Sequence, residues 1–287
     1  MRWRNSRRST NVDDLRGRRS FQPRGGMKIG GLGIVILFVV GLIFGQDPMQ
    51  LLNSLTDGSS FDGSPSQSYP SSPANDEAAE FVKVIMASTE DVWNQQLPRQ
   101  AGINYHEPRL TLFSASVNSA CGMASAASGP FYCPADHRVY IDLAFYHELK
   151  NLGAPGDFAQ AYVLGHEIGH HVQNLLGTSS KVEEIQRQSS QRQANQLSVL
   201  LELQADCYAG IWAHYSEKEK RWLEAGDLEE GIQAAAAIGD DQLQRNAGRR
   251  VNPDAFTHGT SEQRQHWLAV GLKHGDMQRC DTFASLR

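Results

Sequence analysis

Cysteine is scarce in this chain: four among 287 residues, at positions 121, 133, 207 and 280, and none in C-x-x-C spacing. That excludes a thiolate-based zinc finger. Missing too is an Ala-x-Ala-like cleavage site after the one long apolar run, which is followed by Gln46-Asp47-Pro48-Met49, so the run does not read as a removed signal peptide. Charge is absent from that run, Ile29 to Gly45, over 17 residues, the lower limit for a membrane-spanning helix. The basic stretch before it has no regular aromatic interleaving, which argues against a nucleic-acid-binding tail.

Charge is present elsewhere, but unevenly. Residues 1–28 hold nine Lys or Arg and two acids, a net +7, so the remainder carries −12 of the overall −5. By the positive-inside rule, 1–28 is expected to be a basic cytoplasmic arm, 29–45 an uncleaved transmembrane anchor, and the body extracytoplasmic, periplasmic in a bacterium with two membranes. Residues 46–75 read as a flexible linker, because Asp57 to Asn75 is rich in Ser, Pro and Gly without apolar periodicity. The body, 76–287, is long enough to bury a full core.

Within the body, Asp76 to Leu97 has helical apolar spacing and is expected to end before Pro98. From Arg109 to Tyr146 the texture is β-rich, in RLTLFSASV and HRVYIDLAF, with Val139 to Leu143 the expected edge strand beside a cleft. Four cysteines allow three pairings. An oxidising compartment and a short intervening loop favour Cys121 with Cys133, leaving Cys207 with Cys280; the alternative keeps Cys207 as a buried free thiol.

The most informative stretch is Asp157 to Gly177, DFAQAYVLGHEIGHHVQNLLG. Asp157 resembles an N-cap and Gly177 a C-terminal stop. On the helix between them Ala161, Leu164, Ile168, Val172 and Leu175 form one apolar stripe, and His166 and His170 lie opposite. Two histidines at i and i+4 converge their ring nitrogens, and Glu167 sits on the flank, placed to take a proton from a metal-bound water rather than to bind the metal. Gly165 and Gly169 leave a small surface for a close neighbour such as a sheet edge or a substrate backbone.

A third ligand is needed. After a polar stretch, Leu197 to His214 forms a strongly apolar helix that carries Glu202 and Asp206 at i and i+4. Carboxylates on such a helix require a nearby cation or exposure. Glu202 fits as the third zinc ligand, with Asp206 accepting the second ring N–H of a ligating histidine. Asp227 to Leu243 reads as an Ala-rich packing helix. His258 lies in a loop ahead of a last amphipathic helix and is the candidate donor to a developing oxyanion, with Arg264 as a second positive group or as the loop's anchor through a carboxylate.

GDFAQAYVLGHEIGHHVQNLLG, LELQADCYAGIWA, GPFYCPADHRVYIDLAFY and FTHGTSEQR together resemble the YpfJ-like bacterial family named "putative neutral zinc metallopeptidase", across 76–287 and also in the basic arm and apolar run. The resemblance implies a gluzincin-like site: His166, His170 and Glu202 on Zn2+, Glu167 catalytic, Asp206 behind. THGTSEQR is also similar to a His…Arg element of membrane-associated gluzincins of the HtpX type, with Gly259 where that group has proline. The expected protein is therefore an α+β zincin-like metallopeptidase body, a small sheet plus a helical lobe, behind one transmembrane helix. Its expected reaction is hydrolysis of peptide bonds in a protein or peptide substrate by a zinc-bound water that Glu167 activates, with no nucleic acid involved. The alternative is a non-catalytic, zinc-stabilised binding or chaperone-like envelope protein.

Overall fold

The computed structural model describes residues 1–17, 76–125 and 128–286. The expected anchor, 29–45, and linker, 46–75, lie outside the described residues; among those described, no helix is long and apolar enough to cross a membrane.

A four-stranded sheet, in spatial order β1-β2-β6-β5, packs against a lobe of helices. Its strands are β1 (Val12–Asp14), β2 (Arg109–Phe113), β5 (Phe131–Cys133) and β6 (Arg138–Asp142). β1, β2 and β6 run parallel, and β5 is antiparallel to β6. A separate hairpin pairs β3 (Ser116–Ser119) with β4 (Gly122–Ser125). The expectation that Val139 to Leu143 is an edge strand is corrected here. β6 is internal, with Val139, Tyr140 and Ile141 all buried, as the near-continuous apolar run of a strand covered on both faces should be. The sheet edges are β1 and β5.

Helix α1 (Glu77–Ala101) starts on an Asp76 cap, whose side chain accepts from the Ala79 amide. It runs through Pro98 rather than ending before it. Gly102, left-handed at φ 70°, closes it by donating its N–H to the Pro98 carbonyl. After a short α2 (Phe145–Asn151) comes α3 (Asp157–Leu175). Asp157 is its first residue, not its cap; the Asp157 carboxylate lies 3.0 Å from the Met1 amino group. Gly177 does turn left-handed, at φ 72°, and opens α4 (Thr178–Arg187). The expected second helix is longer than its apolar part: α5 spans Gln191–Lys220, started by a Ser190–Gln193 capping box. The Ala-rich segment is broken at Gly239 into α6 (Asp227–Ala237) and α7 (Asp240–Asn246), and α8 (Ser261–His274) follows.

The apolar stripe of α3 faces the core as its periodicity requires: Ala161, Leu164, Ile168 and Val172 join Leu110, Leu112, Ile141, Trp93 and Trp212 in one buried cluster. Both disulfides expected from the sequence are formed, Cys121–Cys133 and Cys207–Cys280. The first ties β5 to the β3–β4 hairpin; the second holds the C-terminal 3-10 turn against α5.

Residues 1–17 are not a separate arm. Trp3 is buried edge-on against Phe81, ring centroids 5.2 Å apart, and β1 extends the sheet by pairing in register with β2. The segment is basic in composition, and Arg4, Arg7, Arg8 and Arg16 each pair with an acid of the body.

Candidate metal centre

α3 and α5 cross with little between them. A Cβ built on Gly169 would lie 2.8 Å from the Ala205 carbonyl oxygen, and one on Gly165 would lie 2.8 Å from the Trp212 ring. The neighbour these glycines admit is therefore α5, not a sheet edge or substrate. That close approach brings His166 and His170 of α3 against Glu202 of α5.

The three donor atoms converge. His166 Nε2 lies 3.1 Å from Glu202 Oε2 and 3.1 Å from His170 Nε2, and His170 Nε2 lies 3.4 Å from Glu202 Oε1. A tetrahedral ion with ligand bonds of about 2.0–2.1 Å holds its donors roughly 3.3–3.4 Å apart. The remote ring nitrogens fix the tautomers. His166 Nδ1 is 2.8 Å from Asp206 Oδ1, and His170 Nδ1 is 2.9 Å from Gln173 Oε1. The Gln173 amide is oriented because its Nε2 donates to the Leu201 carbonyl at 2.7 Å and to Gln204 Oε1 at 3.1 Å. Both Nδ1 atoms thus carry hydrogen in the neutral rings, and both Nε2 lone pairs face each other and a carboxylate. Such an arrangement is repulsive without a cation at its centre, so the donor set fits a divalent metal.

Asp206 is fully buried and saturated with donors. Tyr162 Oη donates at 2.6 Å, and Arg264 donates from Nε to one carboxylate oxygen and from an Nη to the other, each at 2.9 Å. Burial pushes the Asp206 carboxyl up, but Arg264 and His166 overcome it and hold it down at about 2. Arg264, also buried, donates to Tyr162 and to the Ile238 carbonyl. Arg264 is thus paired with the Asp206 carboxylate and also lies 3.4 Å from His166 Nδ1.

Glu167 is buried beside this group but is not one of the three converging donors. Burial raises its pKa, against the pull of the two histidines and of a hydrogen bond from the Tyr132 backbone. Tyr132 belongs to β5, so the sheet edge that reaches the centre is β5.

His258 arrives on the loop before α8, and Glu202 is among the charges that act on it. A residue the sequence reading passed over holds that loop. Asp240, buried at the start of α7, accepts the backbone N–H groups of Thr257, His258 and Gly259 on one oxygen, at 2.8, 2.7 and 3.1 Å. Its other oxygen lies 3.3 Å from His258 Nδ1. Burial lowers the His258 pKa, but Glu202 and Asp240 together raise it. Gly259 has φ 94° and donates its N–H; proline could do neither, so this turn departs from the proline-containing pattern. Tyr162, Gln173 and Asp240 carry no motif, and only the fold assembles them.

Two imidazoles and a carboxylate on crossing helices, with a buried glutamate alongside, form a group that could hold a metal ion. The chain belongs to the family described as "Putative neutral zinc metallopeptidase", whose model matches residues 1–283. It is 46% identical over 296 aligned residues to "Uncharacterized protein YpfJ" of Escherichia coli (strain K12), covering 99% of each chain. It is 41% identical over 224 residues to "Uncharacterized protein Rv2575" of Mycobacterium tuberculosis (strain ATCC 25618 / H37Rv), covering 73% of each. No solved structure matches.

Proposed function

We propose that this protein is a zinc-dependent endopeptidase that cleaves protein or peptide substrates at a membrane reached through residues 29–45, in an oxidising compartment such as the periplasm. One observation carries the metal and the chemistry together: two imidazole lone pairs and the Glu202 carboxylate converge, and Glu167 is buried next to them without joining the set. A purely structural site needs ligands and no such base. The two disulfides support the compartment.

His166, His170 and Glu202 would hold Zn2+, which when bound supplies Lewis acidity and lowers the pKa of a water towards about 7. Glu167, its carboxyl made more basic by burial, accepts a proton from the attacking water and passes it to the leaving nitrogen. Asp206 keeps His166 in the ligating tautomer, and Arg264 and Tyr162 keep Asp206 in place. His258 donates to the oxygen on which negative charge develops, an interaction worth about 2.7–4 kcal/mol where it has been measured in other enzymes. Asp240 acts through His258 by fixing its loop and its Nδ1. The free edge of β5 suits an extended substrate pairing as an added strand. Purified full-length protein should cleave unfolded casein, stop on chelation and resume with zinc; metal-loaded protein without chelator-sensitive cleavage would sink the reading.

A further inference from the structure

Glu90 lies on α1, 2% exposed, and the hydrogen-bond partners of its carboxylate come from the first eleven residues of the chain. Arg7 donates to one oxygen at 2.8 Å; Ser9 Oγ and Asn11 Nδ2, the latter at 2.9 Å, donate to the other. Without that segment the Glu90 carboxylate would lose these hydrogen-bond partners.

The attachment is continuous. Arg2 N–H donates to the Trp222 carbonyl at 2.8 Å, Ser9 N–H to Lys83, Leu110 N–H to Asn11, and Leu15 N–H to Leu112. The positive charge is matched residue by residue: Arg4 with Glu77, Arg7 with Glu90 and Asp91, Arg8 with Glu80, and Arg16 with Asp14 and Asp76. Those four are among the nine Lys and Arg residues whose excess suggested a cytoplasmic arm, and each meets at least one acid of the body. The family match likewise begins at residue 1.

A segment that completes the core and the sheet cannot sit across a bilayer from them. We infer that residues 1–17 and the metal-binding body share one side of any membrane the protein meets. The topology expected from the positive-inside rule, with the amino terminus inside and the body outside, does not hold on this inference. Exchange of the segment between copies does not restore that topology, since in identically oriented copies every amino terminus would face away from every body.

All four cysteines are paired, so an added thiol reports alone. Asn5→Cys and Glu229→Cys, at exposed positions in the arm and on α6, are each placed in the full-length chain and treated with a membrane-impermeant maleimide on spheroplasts. Labelling after detergent serves as the reference, and Thr10→Cys, also exposed, as a second arm position. Equal labelling at arm and body is expected, with both reactive before detergent. Both shielded until detergent would keep the shared side and place it in the cytoplasm. Reaction at Glu229→Cys with the arm thiols shielded until lysis would overturn the inference.

Discussion

Gly169→Ala separates the fit of the metal centre from the stability of the fold. The added Cβ would meet the Ala205 carbonyl oxygen at 2.8 Å and the Ala205 Cα at 3.0 Å, against an ordinary contact of about 3.4–4.0 Å. The obstacle is backbone, so relief requires α3 and α5 to part by roughly half an ångström. Alanine regains about 1 kcal/mol of helix propensity over glycine, and overpacking costs about 1–3 kcal/mol, so net destabilisation should be about 0–2 kcal/mol. Metal binding is less tolerant. His166 and His170 ride on one helix and Glu202 on the other, and ligand distances must hold to about 0.2 Å. Zinc affinity should therefore fall at least tenfold while the midpoint of thermal unfolding, measured on the metal-free protein, moves by only a few degrees. Competition against a zinc-chelating dye reads the first quantity and calorimetry the second. Wild-type affinity in a protein of unchanged stability would refute the proposed close crossing as the device that sets the ligand geometry.

Trp3→Ala removes a buried aromatic and should cost about 3–5 kcal/mol, read by urea unfolding of the full chain; a change below 1 kcal/mol would mean that the amino-terminal segment does not contribute to the core. Asp240→Asn should keep zinc and lower kcat, yet add little to the loss of about 100-fold expected for His258→Phe, because both act through one imidazole; additive losses would assign Asp240 a separate role. His171 is buried, its Nδ1 2.9 Å from Tyr132 Oη and its Nε2 2.6 Å from the His106 carbonyl oxygen, and burial drives its pKa from 6.5 down to about 4. The unfolded chain takes up that proton near pH 6.5 and the folded one only near 4, so stability should fall by about 3 kcal/mol as pH drops across that window. A His171→Gln protein with the same pH slope between 7 and 4 would contradict this.

The candidate site was legible because its residues rest on local regularities: i and i+4 spacing on one helix for the histidines, and carboxylates out of place on an apolar helix for Glu202 and Asp206. The pairing of Cys207 with Cys280 followed from the shortness of the other loop. What escaped depends on contacts between segments distant in the chain. Whether a β-rich run is an edge or an internal strand is decided by its neighbours, and β6 is flanked by β2 on one side and β5 on the other. Asp240 has no signature because it works through backbone amides 17 to 19 residues on. The packing of the first 17 residues escaped because net charge per segment says nothing about pairing: Arg4, Arg7 and Arg8 match acids on α1, a complementarity that only the fold displays.

Glu167→Gln in the full-length protein, compared with His166→Ala, tests most directly the claim that three residues bind the metal and a fourth moves the proton. The Glu167→Gln protein should retain as much zinc as the wild type by elemental analysis and show no chelator-sensitive cleavage of casein, whereas His166→Ala should lose both zinc and cleavage. Zinc loss on Glu167→Gln equal to that of His166→Ala, or wild-type cleavage by the zinc-loaded Glu167→Gln protein, would contradict the account.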